Sequence, residues 1–598
     1  MTIAGTEEQR AVAPDATSTT WPARIAWGTL AVALLGLAAV GAATPRGFEF
    51  SDEGWALLAS RSPKLFADQA TPTRFQYMTG DLYRLVGENL VWLRIGKLLI
   101  ITVAAGLFAV ALLRLLVHMG ITITRADRVL VAAIVIVSSY GANWLPQSPS
   151  YNDVALVTHL FFGAAITGAA LSLGRSIRVT GLLLGVAAGF VSWFSVMNKF
   201  SGSLALVVLA VAIPVASGWR GRTDSRRWAA LVVSGLVGVG IGMLVWQVHY
   251  APVGETIRGL LHSVKSSQQG DVHNSSNVFT KSAVELVVVG AYGALAWFVS
   301  RARTPRSRWW RTGVLVLALL VSPVLLKELL GNSPKINGAA ALGIAVIVIA
   351  IAMIRPADAD GGADTEAARS RRNVWVLFGA LATTPFLGAF GTAASITAVS
   401  AHECAIGALA GFVLLAGLRP HPQMLRTVYL GAAVVVLALV GVALTWQYPY
   451  NQPSLRLATA TVDSRSPLSG VKIQPDRAKA VNQTLAALDA TGAHRMMLAF
   501  WGLQGFTFAT DSTAPGEIFE TSERPGTTAV IRRACASSLP VYVVNDHAQL
   551  PNWVLDAIDK YCHARYPAQS DPVVTIPRVD QFSGSEYVDH MTVRRLQR

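Results

Sequence analysis

The twenty residues from Ile25 to Thr44 carry no charged side chain. About twenty apolar residues wound as a helix cross the hydrocarbon of a bilayer. Backbone groups in hydrocarbon must find their partners within the segment, which leaves a helix as the reading of such a run. Similar runs recur near 96–117, 128–146, 154–174, 179–198, 202–218, 228–247, 285–300, 312–328, 337–354, 374–392, 403–418 and 427–446. The expectation is a mainly α, polytopic transmembrane bundle of about thirteen helices over residues 23–446. Composition agrees with it: 52% hydrophobic, 14% charged and a mean hydropathy of +0.45 are too apolar for a soluble chain of 598 residues.

The net charge of +15 raises nucleic acid as a partner. The basic residues argue against that, because they fall in short clusters between the apolar runs. Arg125/Arg128, Arg175/Arg178, Arg220/Arg222/Arg226/Arg227, Arg301/Arg303/Arg306/Arg308/Arg311, Arg369/Arg371/Arg372 and Arg419/Arg426 all occupy alternate loops, the positive-inside pattern of a cytoplasmic face. The polar tail 1–22 is then cytoplasmic, and its Glu7, Glu8 and Asp15 are unlike a signal peptide. The opposite loops, chiefly 45–90 and 249–282, face outside. The tail after residue 446 joins them only if the number of spans is odd. Segment Ala357–Ala368 reads as a flexible cytoplasmic linker, and no internal repeat of the kind common in secondary transporters is evident.

From residue 447 to 598 the composition is that of a soluble domain. A helical pattern over Arg477–Ala490 follows Asp476, and Met496–Trp501, Val541–Val544 and Val573–Ile576 read as strands, giving a small extracytoplasmic α/β domain. Cys535 and Cys562 would lie in an oxidising space there and either pair or remain two small separate residues. Three cysteines without a CxxC give little support to metal or thiol chemistry.

The residues that can carry chemistry stand at the ends of spans. Asp52-Glu53 follows the first span at once, and two carboxylates beside hydrocarbon are costly unless solvated, paired or used. Such a carboxylate can take a proton from an acceptor hydroxyl. It can equally be the acidic first turn of a helix capped by Ser51. Basic residues on the same face, among them Arg94, Lys199, Arg258 and Lys327, run against the positive-inside rule. Singly such a residue snorkels to the interface; converging, they would bind a lipid phosphate. In the turn Ser148–Asp153, Tyr151 and Asn152 can hydrogen-bond a sugar or simply form a turn, and Asp153 reads as a helix cap. The long loop 249–282 carries His249, Arg258 and His273, with an amphipathic interfacial helix over Thr256–Val264. No spacing there demands a metal, and His159 and His402 read as isolated bundle residues.

A first span followed by an outer Asp52-Glu53, then Leu93-Arg94-Ile95 at the next helix, then Pro149-Ser150-Tyr151-Asn152 and Phe390-Gly391-Thr392, resembles the GT-C glycosyltransferase superfamily. Its nearest likenesses are the protein O-mannosyltransferases and the aminoarabinose transferases of lipid A, although Gly54-Trp55 departs from the usual continuation in the latter. The resemblance covers the topology of residues 20–450. It implies a bacterial plasma-membrane enzyme that moves a sugar from a polyprenyl-phosphate donor to an extracytoplasmic hydroxyl of a glycan, lipid or protein, with inversion and without metal or other cofactor. Asp52 would be the base and Glu53 an orienting acid, with Arg94, Lys199, Arg258 and Lys327 on the donor phosphate and Tyr151, Asn152, His249 and His273 toward the acceptor or sugar. The Ala-, Gly-, Val- and Arg-rich usage suits a high-GC bacterium; were that an actinobacterium, decaprenyl-phosphate arabinose or mannose would be the natural donor. A transporter or flippase of a lipid-linked intermediate, and a lipid-linked glycan polymerase or ligase, are the competing classes.

Overall fold

The structure, a computed structural model, describes residues 20–66, 73–141, 146–219, 224–268, 310, 365–389, 401–417, 423–447, 449–450, 452–489, 495–500, 503–516, 525–547, 550–564, 566, 572, 574–577 and 587–596. It is mainly helical. In chain order the helices of the apolar part are α1 (Thr20–Gly41), α2 (Asp52–Arg61), α3 (Phe75–Leu85), α4 (Leu90–His118), α5 (Arg125–Val137), α6 (Tyr151–Arg175), α7 (Val179–Asn198), α8 (Ser203–Ala216), α9 (Ser225–His249), α10 (Val253–Gln268), α11 (Thr365–Ala389), α12 (Cys404–Gly417) and α13 (Gln423–Trp446). Among the described residues, six helices are long and apolar enough to cross a membrane: Trp21–Gly41, Leu90–His118, Tyr151–Gly174, Val179–Asn198, Ser225–His249 and Arg426–Trp446. The expected spans 285–300, 312–328 and 337–354, and residues 357–364 of the expected linker, lie outside the described residues. The rest of that linker, from Thr365, is the first turn of α11.

The expected span 128–146 stops at Val137. Ser138 and Ser139 turn their hydroxyls back onto the carbonyls of Val135 and Ile136, which competes with continuing the helix. The amphipathic segment expected over Thr256–Val264 is the middle of α10. Leu260 is buried, and Trp246 Nε1 donates to Thr256 Oγ1 at 3.1 Å, while Leu261 is 59% exposed.

The helices pack through small residues. On α7, Gly185 and Gly189 face Ser234 and Gly235 of α9, and a side chain on Gly238 would strike the Val186 carbonyl. Backbones can come this close only where no Cβ intervenes, the usual device where hydrocarbon gives helices no hydrophobic reason to associate. The outward faces remain apolar, as with Leu99, Val103 and Leu107 on α4 and Val233, Leu236 and Leu244 on α9.

The two ends of the bundle differ. At one end Arg426 of α13 pairs with Asp127 of α5 at 2.7 Å, Gln423 donates to Thr124, and Ser370 of α11 donates to the Met119 carbonyl after α4. Arg125, Arg128, Arg369, Arg371 and Arg372 belong to these same helix ends. At the other end lie Asp52, the start of α4, the start of α6 and the close of α13, with Trp446 Nε1 donating to the Ala39 carbonyl of α1.

After α13 comes a small sheet region. A two-residue pair, β1 (Ala460–Thr461) with β2 (Lys472–Ile473), precedes α14 (Pro475–Asp489), which covers the expected helix. Four strands, β3 (Met496–Ala499), β4 (Val541–His547), β5 (Val574–Pro577) and β6 (Tyr587–Arg595), form a sheet in the order β3-β4-β6-β5, with β3 parallel to β4 and the other pairs antiparallel. The first three match the expected strands. The fourth, β6, was not read from the sequence and lies between β4 and β5. Its Met591 and Val593 are fully buried, but Asp589, His590, Arg594 and Arg595 interrupt the apolar pattern. Helix α15 (Gln504–Ala509) follows β3; α16 (Pro525–Ala536) and α17 (Asn552–Cys562) flank β4. Cys535 and Cys562 are joined as a disulfide between α16 and α17, which resolves the alternative left open by the sequence.

This region is continuous with the loop after α1. Phe48, Phe50 and Trp55 share one hydrophobic cluster with Val481, Phe506 and Tyr542. The Gly505 amide donates to the Phe50 carbonyl at 2.6 Å, Lys472 N to Pro45 O and Gly47 N to Lys472 O, both at 2.8 Å. Helices α2 and α15 cross at two glycines: a Cβ on Gly54 would fall on the Gly505 backbone. Gly54→Ala therefore reverses the ordinary rule. In an open helix interior that change stabilises by up to about 1 kcal/mol; here overpacking is expected to destabilise by about 1–3 kcal/mol. Thermal unfolding of the detergent-purified variant reads the sign.

Candidate active site

The site forms where the loop after α1 turns into α2. Ser51 stands at the N-cap of α2, but its side chain does not cap the helix. The cap is Glu49, a residue that the sequence reading passed over. Its Oε1 accepts from the Ser51 amide at 2.8 Å and from the Ser51 hydroxyl, and its Oε2 accepts from the Glu53 amide at 2.8 Å. In return the Glu49 amide donates to Glu53 Oε2 at 3.0 Å. Two carboxylates four residues apart thus satisfy each other's backbone, the logic of a capping box.

Glu53 is fully buried. Its Oε1 accepts from Arg94 Nη2 at 2.9 Å, from the Ser148 amide at 3.0 Å and from the Ser148 hydroxyl at 2.5 Å. Arg94, on the first turns of α4, is buried beside it. Its Nε and Nη2 donate to Glu53, its Nη1 to the carbonyls of Thr44 and Arg46, and its Nη2 also to Gly47 O at 2.9 Å. All five guanidinium N–H groups are engaged. A buried ion pair is tolerable only when both partners are so satisfied. Arg94 therefore has no hydrogen left for a ligand, and Glu53 holds backbone in place.

Asp52 is placed differently. Its Oδ2 accepts from the Tyr450 hydroxyl, and its side chain keeps partial exposure. Burial raises its pKa above the ordinary carboxylate value, and the Tyr450 hydrogen bond partly offsets the rise. Burial and the Asp52 charge push the Tyr450 phenol far above its usual range, so it remains a donor. The Tyr151 hydroxyl stands within electrostatic reach of the same carboxylate. Tyr450 belongs to the segment after α13, 398 residues from Asp52, and nothing local marks it.

Two buried groups flank the start of α6. On one side Asp153 Oδ1 lies 3.0 Å from Lys97 Nζ and 3.2 Å from His402 Nε2, while Asp153 Oδ2 caps Ser150. On the other, Lys199 Nζ donates to the Gly388 carbonyl at 2.6 Å and to Asn152 Oδ1 at 3.4 Å, and sits over the Tyr151 ring. His159 Nδ1 lies 3.0 Å from Glu403 Oε1, and its Nε2 lies 3.2 Å from Gly202 O. So His159 and His402 are not isolated as the sequence suggested. Two elements far apart in sequence, α6 and the turn before α12, bring them to Glu403 and Asp153. Among the described residues, no three His, Cys, Asp or Glu side chains are grouped to hold a metal ion.

The other expected site residues fall elsewhere. His249 Nε2 and the Tyr250 hydroxyl are engaged with Asp81 Oδ2 of α3 at 3.2 and 2.5 Å. Arg258 is exposed on α10, its Nε donating to the Gly254 carbonyl one turn back. His273, Lys327 and Phe390-Gly391-Thr392 lie outside the described residues.

A cavity opens between the end of α1, the start of α4 and residues 444–452. Arg94, Lys97, Gln147, Tyr450 and Gln452 form its polar wall, and Val40, Leu98 and Leu444 its apolar one. It adjoins Tyr450, the partner of Asp52.

The two acids of the pair should respond in opposite ways to loss of charge. Glu53→Gln leaves Arg94 buried without its counter-ion, and an expected loss of about 3–5 kcal/mol appears as a large fall in unfolding temperature and yield. Asp52→Asn should unfold within a few degrees of the parent. Equal stability of the two variants would contradict this division of roles. No family model matches the chain, nor does any curated protein or any solved structure.

Proposed function

We propose that this chain is an integral membrane glycosyltransferase of GT-C type. It transfers a sugar from a polyprenyl-phosphate donor to an extracytoplasmic hydroxyl, with inversion at the anomeric carbon. The observation that carries the reading is the contrast between neighbours: Glu53 is buried with its oxygens engaged, while Asp52 has a raised pKa, partial exposure and a single protein hydrogen bond from Tyr450 beside a cavity of mixed character. Neighbouring carboxylates held in different environments are a common way to divide structural and acid–base work.

In this reading Asp52 takes the acceptor's proton as the acceptor oxygen attacks the anomeric carbon. The bond from that carbon to the phosphate oxygen breaks, and the lipid phosphate leaves as an anion without a general acid. Positive charge near the cavity stabilises the leaving group, and Lys97 and Arg94 line it. Arg94 acts there as a fixed charge that donates no hydrogen bond to the phosphate. The Arg-rich end of the bundle is cytoplasmic, which puts Asp52 and the α/β domain of residues 447–598 outside, with about thirteen spans in all. The membrane is bacterial, and the donor sugar is a pentose or hexose such as arabinose or mannose.

Transport of a lipid-linked intermediate is the second reading. It is favoured by the buried ionisable groups Lys97, Asp153, His159, Lys199, His402 and Glu403 at the ends of helices, a constellation that proton-coupled carriers use.

Asp52→Asn decides between them. In purified protein supplied with a glycosylated polyprenyl phosphate, transfer is expected to fall by about 10²–10⁴-fold. Undiminished transfer would remove the base role, and lipid translocation without transfer would support the carrier. Because a base works only when ionised, the rate should rise with pH through a value above the ordinary carboxylate range. Tyr450→Phe deletes the hydrogen bond that stabilises the ionised form, so the acidic limb of the profile should move to higher pH. A limb that stays put or moves down would show that another group titrates.

A further inference from the structure

His159 is buried on α6, about two turns beyond Asn152, with an acceptor at each ring nitrogen. Its Nε2 stands 3.2 Å from the Gly202 carbonyl and its Nδ1 3.0 Å from Glu403 Oε1. A carbonyl oxygen can only accept, so Nε2 carries a hydrogen. The contact between Nδ1 and Oε1 then needs one hydrogen of its own, on the imidazole or on the carboxyl. His159 and Glu403 therefore hold a proton between them, as imidazolium and carboxylate or as imidazole and carboxylic acid. Without it, a nitrogen lone pair and a carboxylate oxygen would face each other, both buried and both acceptors.

Two deficits beside the pair complement each other. Glu403 Oε2 is buried and accepts no hydrogen bond among the described residues. Lys199 is buried too, within electrostatic reach of Glu403. Its ammonium has three hydrogens, and among the described residues two are taken, by the Gly388 carbonyl at 2.6 Å and by Asn152 Oδ1 at 3.4 Å. Gly388 admits the carboxyl to His159: a Cβ there would fall 2.5 Å from Glu403 Oε1 and 3.1 Å from His159 Cε1. The other charged groups nearby are engaged elsewhere. On the far side of α6, Asp153 faces Lys97 and His402. The Cys404 thiol, next in the chain, donates to the Gly141 carbonyl. Neither α7, α8, α12 nor residues 373–389 of α11 contain an Asp, Glu, Lys, Arg or His.

We infer that His159 and Glu403 form a buried proton-binding site, and that loss of its proton turns Glu403 from His159 to Lys199. With the shared proton in place, the carboxyl stays on His159. Once the proton has gone to bulk water, Nδ1 repels the carboxylate, and Lys199 supplies the hydrogen that Oε2 lacks. A proton that binds one of two arrangements better than the other shifts the balance between them. Lys199 drawn toward Glu403 loosens its hold on Gly388 and Asn152, and leaves the Tyr151 ring. Tyr151 stands beside Asp52, so the proton site reaches the candidate active site through the first turn of α6. The ligand is the hydrogen ion, and the site takes it up whether the chain transfers a sugar or carries a lipid.

The test reads the proton directly and needs no substrate. Full-length protein in lipid nanodiscs, isotopically labelled in histidine and lysine nitrogen and in glutamate carboxyl carbon, is followed by solid-state NMR as pH is raised. The His159 signals are those that His159→Gln removes. At acid pH, Nδ1 should resonate as a nitrogen that carries or shares a hydrogen. As pH rises it should become a bare nitrogen, while Nε2 keeps its hydrogen against Gly202. Over the same range the dipolar coupling between Lys199 Nζ and Glu403 Cδ should grow. Glu403→Gln gives Nδ1 an amide hydrogen that does not titrate, and should abolish both changes. Gly388→Ala crowds the carboxyl off His159 and should move the transition to lower pH by about one unit. Lys199→Gln keeps a donor for Gly388 but removes the charge that receives Glu403, and should move it to higher pH by about as much. The two variants carry the test independently if one of them fails to fold.

An Nδ1 that is bare at every pH, or that never loses its hydrogen while the protein stays folded, would overturn the proton site. A titrating Nδ1 with an unchanged coupling between Lys199 and Glu403 would overturn the turn of the carboxyl, as would a shift in the opposite direction in either variant. None of these outcomes depends on sugar transfer, so this site and the Asp52 base fail separately.

Discussion

A carboxylate and a guanidinium buried together at the ends of apolar helices survive only if every hydrogen-bonding position is met, and the pair Glu53–Arg94 is built that way. Arg94 gathers three carbonyls from the loop 44–47, and one edge of its guanidinium, Nε and Nη2, reaches Glu53. Glu53 in turn fixes Ser148 and, through Glu49, the first turn of α2. One ion pair thereby joins the close of α1, the start of α2, the start of α4 and the turn before α6. The pair is weak evidence for net stability, because desolvation offsets much of the attraction. Its consequence is specificity of position: with Glu53 held this firmly, the next residue back in the chain, Asp52, has a determined place and a single protein hydrogen bond.

The same point anchors the sheet region. Phe48 and Phe50, on the two sides of Glu49, enter the cluster that holds Val481 and Phe506, and Arg477 lies over the Phe50 ring. Helices α2 and α15 meet where neither has a side chain. The loop after α1 and the C-terminal region therefore form one hydrophobic core, and the hydroxyl that reaches Asp52 comes from the connection between α13 and that region. The site is a product of tertiary structure to which residues 44–53, 94–97, 146–153 and 450–452 each contribute.

This explains what could be read from the sequence. Hydropathy and helical period are local quantities, so the apolar helices, the amphipathic α10, helix α14 and the three apolar strands were legible as types. Strand β6 was not, because a strand in the middle of a sheet needs only its inward residues to be apolar, and here its Asp, His and Arg residues mask the alternation. The Asp52-Glu53 pair was legible as a place, since two acids beside a span require an explanation. Which acid is buried was not legible: the answer lies in Arg94 and Ser148 for one and Tyr450 for the other. Lys199 stood out because it runs against the orientation expected from the Arg clusters, and its ammonium lies among the Gly388 carbonyl, Asn152 and the Tyr151 ring rather than open to solvent. His159, His402 and Glu403 gave no local signal at all, because α6 and the turn before α12 meet only in the folded chain.

The turn Ser148–Asp153 shows how so short a segment serves several environments at once. Successive residues of a helix project about 100° apart, so three neighbours face three directions. Here Tyr151 faces the Asp52 side and stacks edge-on against Phe75. Asn152 reaches Lys199, and Asp153 reaches Lys97 and His402 while capping its own helix through Ser150. Ser148, just before the turn, holds Glu53. A rotation of α6 by a fraction of a turn would break the Asp153–Lys97 contact and the Asn152–Lys199 contact together. The cation of the cavity and the carboxylate beside it are thus set in register by one helix end, and the capping of that end by Asp153 is what fixes their spacing.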